Sequence, residues 1–343
     1  MANEKRRILL RNGLVFGAGA LIGAPSLRVA QAAPAKTLTL YNGQHAKTTE
    51  ALAEAFTKAT GIAVDIRKGK SAQLASQIIE EGANSPADVF YSEESPPVAA
   101  LAEKGLLARL DATTLKQVPK GYTGKGGTWT AVSARCRVIA YNRDMVKESE
   151  LPKSVLDMAT EAWKDRVGFV PTSGAFQEQI IAIKLLKGRE AALNWLKGLK
   201  QYGRIYNGNK AAMKAVESGE IATALVNNYY WYSVADEVGA DKMKSALYYT
   251  GGQDAGALIT VSAAGVLKSS ANLKLAKQFV AFLVSKQGQE ALVKTVAEYP
   301  LVPGVKSPYD LKPFNELNPP QVTPADLGDA ADALTLRQEA GLA

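Results

Sequence analysis

The chain has one cysteine, Cys136, and one histidine, His45, in 343 residues. A single thiol makes no intrachain disulfide and no thiolate metal cage, so stability has to come from packing. A single imidazole makes no His-rich metal centre and no H-E-x-x-H zinc motif, and no G-x-S-x-G nucleophile turn is present. An exported hydrolase is therefore poorly supported. Gly69-Lys70-Ser71 looks like the end of a phosphate loop, but Val64 stands where that motif needs its first glycine. Beyond residue 32 there is no apolar run long enough to span a bilayer, no internal repeat and no low-complexity tract. Aromatics are scarce, at 7%.

The first 32 residues read as an export signal. A basic start (Lys5, Arg6, Arg7, Arg11) precedes an apolar stretch from Leu14 to Ala24, too short for a membrane span, and Ala30-Gln31-Ala32 has the small-x-small form of a cleavage site. Arg6-Arg7-Ile8-Leu9-Leu10-Arg11 has twin-arginine spacing, although Lys5 stands where that pattern usually has Ser or Thr, so both export routes stay open. No cysteine follows, so no lipid anchor is expected. The leader carries five Lys/Arg and one Glu, four of the net +8 charges. What remains is scattered, with no basic stripe interleaved with stacking aromatics, and nucleic acid is not an expected partner.

The mature chain exceeds 300 residues, more than one core usually supports. Strand-like and helix-like runs alternate from its start: "TLTLYNG", "TTEALAEAFTKAT", "IAVDIRKG", "SAQLASQIIEEGA", "ADVFYSEE". Leu52, Ala55, Phe56 and Ala59 follow the helical period, whereas Val64 and Ile66 alternate with Asp65 and Arg67. This order predicts an α/β fold with a largely parallel sheet and ligands beyond the strand ends. Two long β-rich segments, 128–142 and 257–267, interrupt it. If both cross between domains, the chain leaves one lobe, builds a second and returns, making a two-strand hinge. The expected division is 33–135 with 260–310 for the N-terminal lobe, and 136–259 with 311–343 for the C-terminal lobe.

The strand ends are where such a fold places its site. They bring Asn42-Gly43-Gln44-His45 and Tyr91-Ser92-Glu93-Glu94 from the first lobe, with Pro171-Thr172-Ser173-Gly174-Ala175 and Asn227-Asn228-Tyr229-Tyr230 from the second. Oxygen donors with one nitrogen and no sulfur suit ferric iron better than zinc or copper(I). A phenol with a pKa of roughly 10 ionises at neutral pH only when a strong cation replaces its proton. Donors from both lobes would couple binding to hinge closure. Taken singly, His45 reads equally as a surface residue, Glu93 as a helix cap, Ser173-Gly174 as a helix start, and Tyr229-Tyr230-Trp231 as a stacking platform.

At "YNGQH", "SPADVFYSE", "PTSGAF", "AVESGEI", "NNYYW" and "SKQGQEAL" the chain resembles the periplasmic ferric-ion-binding proteins, the receptors of iron ABC importers. The resemblance covers essentially the whole mature chain and implies a type II periplasmic binding protein with its metal in the interlobe cleft. It implies Fe(III) held by His45, Glu93, Tyr229 and Tyr230. It also implies a synergistic anion, phosphate, carbonate or citrate, held by Ser173, Gly174, Ala175, Asn209 and Asn227. Glu94 departs from the pattern, because relatives that hold phosphate have Gln there and a second carboxylate repels phosphate. Arg135 and Arg137 are either countercharges for the anion or exposed strand residues.

The expected function is a non-enzymatic, monomeric periplasmic receptor that delivers iron to an inner-membrane ABC permease. Two other classes compete with it: an exported non-haem iron enzyme, and a binding protein for an organic solute stacked on Tyr229 and Tyr230. Catalytic iron usually sits on a His-rich facial triad, which one histidine cannot supply.

Overall fold

The computed structural model describes residues 37–342. The expected leader, 1–32, lies outside the described residues. The first lobe opens with β1 (Thr37–Asn42), α1 (Ala46–Thr60), β2 (Ala63–Lys68), α2 (Ser71–Glu81), β3 (Val89–Ser92), α3 (Ser95–Glu103) and the short α4 (Ala112–Leu115). In α1, Leu52 and Phe56 are one turn apart and fully buried, and Gly61, at φ 72°, closes the helix by donating its N–H to Thr57 O. The chain then leaves along β4 (Trp129–Asn142), all of whose residues are buried.

The second lobe is built from β5 (Val167–Phe169), α5 (Gly174–Lys187), α6 (Arg189–Tyr202), β6 (Arg204–Ile205), α7 (Asn209–Ser218), β7 (Thr223–Asn227), α8 (Tyr229–Val238) and β8 (Ser245–Tyr248). Return is along β9 (Ile259–Val266), followed by α9 (Leu273–Leu283), α10 (Lys286–Leu292), β10 (Tyr299–Pro300) and α11 (Ala331–Glu339). Strand order is β2-β1-β3-β9-β4-β7-β5-β6, with β8 and β10 also paired to β4.

The sheet is mixed where the sequence pattern predicts a largely parallel one. β1, β2 and β3 are parallel, as are β5, β6 and β7, but β9 runs antiparallel to β3 and β4, and β4 antiparallel to β7 and β8. The reason is the round trip: strands that carry the chain out and back must point in opposite directions. β4 serves both lobes. Its residues up to Cys136 pair with β9, and from Arg137 onward they pair with β7.

Each lobe has apolar layers on both faces of its sheet. Leu38, Leu40, Phe56 and Phe279 lie on one side of the first and Ile78, Phe90 and Val98 on the other. Phe169, Phe176 and Trp195 belong to one core of the second, Val138, Met213 and Val226 to its other. Ala333 and Leu336 of α11 join the Trp195 core. Ala134, Cys136, Ile259, Val261 and Tyr299 fill the crossing region. There Cys136 is a fully buried small side chain whose thiol burial pushes up in pKa. Among the described residues no helix is long and apolar enough to cross a membrane.

Candidate metal centre

Three tight turns at strand ends aim the donors. After β1, Asn42 Oδ1 accepts from Gln44 N (3.0 Å) and Thr49 Oγ1 (2.9 Å) while its Nδ2 donates to Gln44 O (2.8 Å). This Asx-type turn places His45 immediately before α1. Gly43 has no room for a side chain, since a Cβ there would overlap Ser71 Oγ. The same hydroxyl accepts from Glu93 N (3.0 Å) beyond β3, so Ser71 fixes both turns at once. After β7, Asn228 Oδ1 accepts from Cys136 N (3.0 Å) and its Nδ2 donates to Ala297 O (3.2 Å). That anchor holds Tyr229 and Tyr230 at the start of α8, pressed against the crossing strand.

The four side chains converge from both lobes. Tyr229 Oη donates to Glu93 Oε1 at 2.9 Å, and His45 Nε2 lies 3.8 Å from the same oxygen. The His45 and Tyr229 rings meet edge to face at 5.2 Å, and the Tyr229 and Tyr230 rings lie 4.2 Å apart, inclined by 36°. His45 Nε2 is buried with no hydrogen-bond partner, as is Asn209 Oδ1. Such orphaned polar atoms are costly unless a ligand completes them. Burial, with Glu93 next in importance, raises Tyr229 well above the ordinary phenol value and pushes Tyr230 up to about 12. Both phenols therefore keep their protons at neutral pH until a cation takes their place. Among the described residues no three His, Cys, Asp or Glu side chains come together as a metal site. A metal here depends on the phenols.

A cleft of about 550 Å³ opens beside this cluster, lined by Glu93, Glu94, Ser173, Gly174, Asn209 and Tyr230 among others. Asn209 Nδ2 donates to Ser173 Oγ (2.9 Å) and to Tyr230 Oη (3.2 Å), linking residues the sequence assigns to an anion with one it assigns to a metal. The Glu94 side chain crosses the cleft to Gly174, the first residue of α5, where a Cβ would overlap its carboxylate. Burial, then the neighbouring Glu93 and Glu178 carboxylates, raises Glu94 well above the usual range. Ala175, Asn227, Arg135 and Arg137 are buried and do not line the cleft.

Neither arginine is an exposed strand residue, one of the two readings their sequence allows: both are 1% exposed. Arg137 donates to Gln179 Oε1 (3.2 and 3.1 Å) and to Asn227 Oδ1 (3.2 Å), which occupies the Asn227 side-chain oxygen. With only amides as partners, burial lowers Arg137 to about 10. Arg135 pairs instead with Glu298 (3.0 Å) and donates to Glu93 O. Sequence reasoning missed Glu298, Ser71 and Glu178. Glu298 is fully buried in "AEYPLVP", where the flanking apolar residues signal burial but nothing signals its partner.

Two α/β lobes on shared crossing strands, with polar donors facing each other across the gap, define the class of two-lobe solute-binding proteins. The profile of the bacterial extracellular solute-binding proteins matches residues 84–326, and the chain belongs to that family. It is 49% identical over 311 residues to the major ferric iron-binding protein of Neisseria meningitidis, covering 89% of this chain and 93% of that one. Identity to the Fe(3+)-binding periplasmic protein of Serratia marcescens is 38% over 315 residues, covering 91% of this chain and 93% of that one. Among solved structures, iron-bound HitA from Pseudomonas aeruginosa is 55% identical with a TM-score of 0.87, covering 90% of this chain and all of that one.

Proposed function

We propose that the chain is a periplasmic receptor that captures ferric iron with a synergistic anion and delivers it to an inner-membrane ABC permease. One observation carries the reading: two phenols, a carboxylate and a partnerless buried imidazole nitrogen meet across the cleft between the lobes. That donor set, hard and oxygen-rich, matches a trivalent cation, and the names of the similar proteins support the choice of iron and the non-enzymatic role. His45, Glu93, Tyr229 and Tyr230 hold the metal. Ser173 and Gly174 offer the anion a hydroxyl and a backbone N–H at the N-terminus of α5, and Asn209 offers an amide at the start of α7, where helix geometry favours negative charge. Ala175 N–H belongs to the same first turn.

Capture proceeds by exchange. Iron displaces the phenol protons and the Tyr229–Glu93 hydrogen bond, and the two lobes are clamped through one ion. The lobe division expected from the sequence fits this reading, because β4 changes sheets at Cys136–Arg137 and α11 joins the second-lobe core. A stacked organic solute fits less well, since the two tyrosine rings face each other and Tyr229 is 4% exposed. Adding ferric iron to the mature, metal-stripped chain tests the proposal. Tyrosinate ligation gives a visible charge-transfer band that saturates at one iron per chain; a colourless protein that retains no iron overturns it.

A further inference from the structure

Two arginines stand two residues apart on β4, yet only one is matched by a buried carboxylate. Glu298 is fully buried just before β10, whose pairing with β4 sets Tyr299 opposite Ala134 and so brings Glu298 beside Arg135. Its Oε1 lies 3.0 Å from Arg135 Nε and 3.8 Å from His45 Nε2. Its Oε2 accepts from Ser133 Oγ and from Gln44 Nε2 (3.5 Å). Arg135 spends its remaining donors on Glu93 O and on Gln44 Oε1 (3.4 Å), the oxygen that also accepts from His45 N (2.8 Å), and its guanidinium lies 5.8 Å from the centre of the Tyr229 ring. One buried pair thus touches the surroundings of three of the four donors.

Resting on the iron-binding reading, we infer that Glu298 is a positioning residue for the metal: it anchors Arg135 under the donors and neutralises that guanidinium so that a trivalent cation can enter beside it. Without Glu298, the buried arginine is an uncompensated cation hydrogen-bonded to Glu93 O beside the Tyr229 ring, and its grip on the Glu93 and Gln44 turns relaxes. Arg137 makes the contrast. Its hydrogen bonds go to Gln179 and Asn227, and no carboxylate among the described residues pairs with it.

The test uses the mature chain with Glu298→Gln, which keeps the side-chain shape and removes the charge. Iron affinity, read by competition with nitrilotriacetate, should fall about 10–100-fold, the usual cost of losing an outer-shell partner of a metal ligand. The tyrosinate charge-transfer maximum should shift, a change that a purely structural role would not produce. Glu298→Asp keeps the charge, withdraws it by one methylene, and should recover part of the affinity. Wild-type affinity and an unmoved band in Glu298→Gln overturn the inference, even if the apo melting temperature changes. If Glu298→Gln does not fold, Glu298→Asp carries the test alone: weakened binding with a shifted band supports the role, and wild-type values of both overturn it. A wild-type chain that binds no iron would instead sink the underlying function.

Discussion

Replacing a phenol by a phenyl ring separates metal donation from packing. Tyr229→Phe and Tyr230→Phe leave the 4.2 Å ring contact in place and remove one oxygen each. Each should weaken iron binding by more than the roughly 10–100-fold that an outer-shell loss costs. The apo form should change by only about 1 kcal/mol, the worth of one hydrogen bond such as Tyr229 to Glu93. Chelator competition and thermal melts measured side by side check both halves, and unchanged affinity in both variants would remove the phenols from the site. Glu94 poses a different question at the same scale. Its carboxylate already lies against the first residue of α5, where an exogenous anion would have to sit. Glu94→Gln should therefore slow iron release in phosphate more than in carbonate or citrate, and equal release rates in phosphate would retire that role.

At the scale of elements, the turn from β7 into α8 does the aiming. Asn228→Ala leaves Cys136 N and Ala297 O without their side-chain partner in a buried setting. The apo chain should lose about 1–3 kcal/mol, and iron affinity should fall with it, because Tyr229 and Tyr230 lose their anchor. A melt that moves without any change in iron binding would contradict that coupling. The strand ends were legible in the sequence because apolar runs stop abruptly at Asn42, Ser92 and Asn227, and the chemistry-bearing residues follow directly. The antiparallel crossing was not, because periodicity reports which face of a strand is buried and not which neighbour it meets. Glu298 was out of reach for a related reason. Gln44 and Glu298 are 254 residues apart, and only the β10–β4 pairing brings them together. Arg135 and Arg137 were visible as charges but not as opposites, since what distinguishes them is a carboxylate on one and an amide on the other.

Over the whole molecule, proton and metal compete for the same cleft. Burial raises Tyr229 well above the ordinary phenol value and Tyr230 to about 12, so phenolate ligation would release both protons when iron binds. Affinity should fall on acidification, by about a hundredfold per pH unit while two protons are exchanged. Equilibrium dialysis across pH 5–8 tests the slope, and iron retention unchanged down to about pH 4 would exclude phenolate ligation. A second pH effect belongs to the apo chain. Ser95, opening α3, donates to Glu178 of α5 (3.1 Å), a fully buried carboxyl that burial pushes up to about 7. Since its folded value is raised, the folded state holds this proton more tightly than the unfolded one. That contribution is complete at low pH and is lost as pH rises through about 7. Glu178→Gln should accordingly stabilise the apo chain at pH 8 by on the order of 3 kcal/mol and by nothing near pH 4. Denaturant unfolding at the two pH values decides it.

The fourteen-residue β4 has one more consequence, for how the protein comes apart. Since the strand lends its first half to one sheet and its second half to the other, neither lobe owns a complete sheet, and an excised lobe would expose a raw edge where its neighbour had been. The boundary between lobes falls inside a continuous strand, so it is not a place where the chain can be cut. Heat should therefore melt the metal-free molecule in one cooperative step, the two halves losing their order together because each completes the other's fabric.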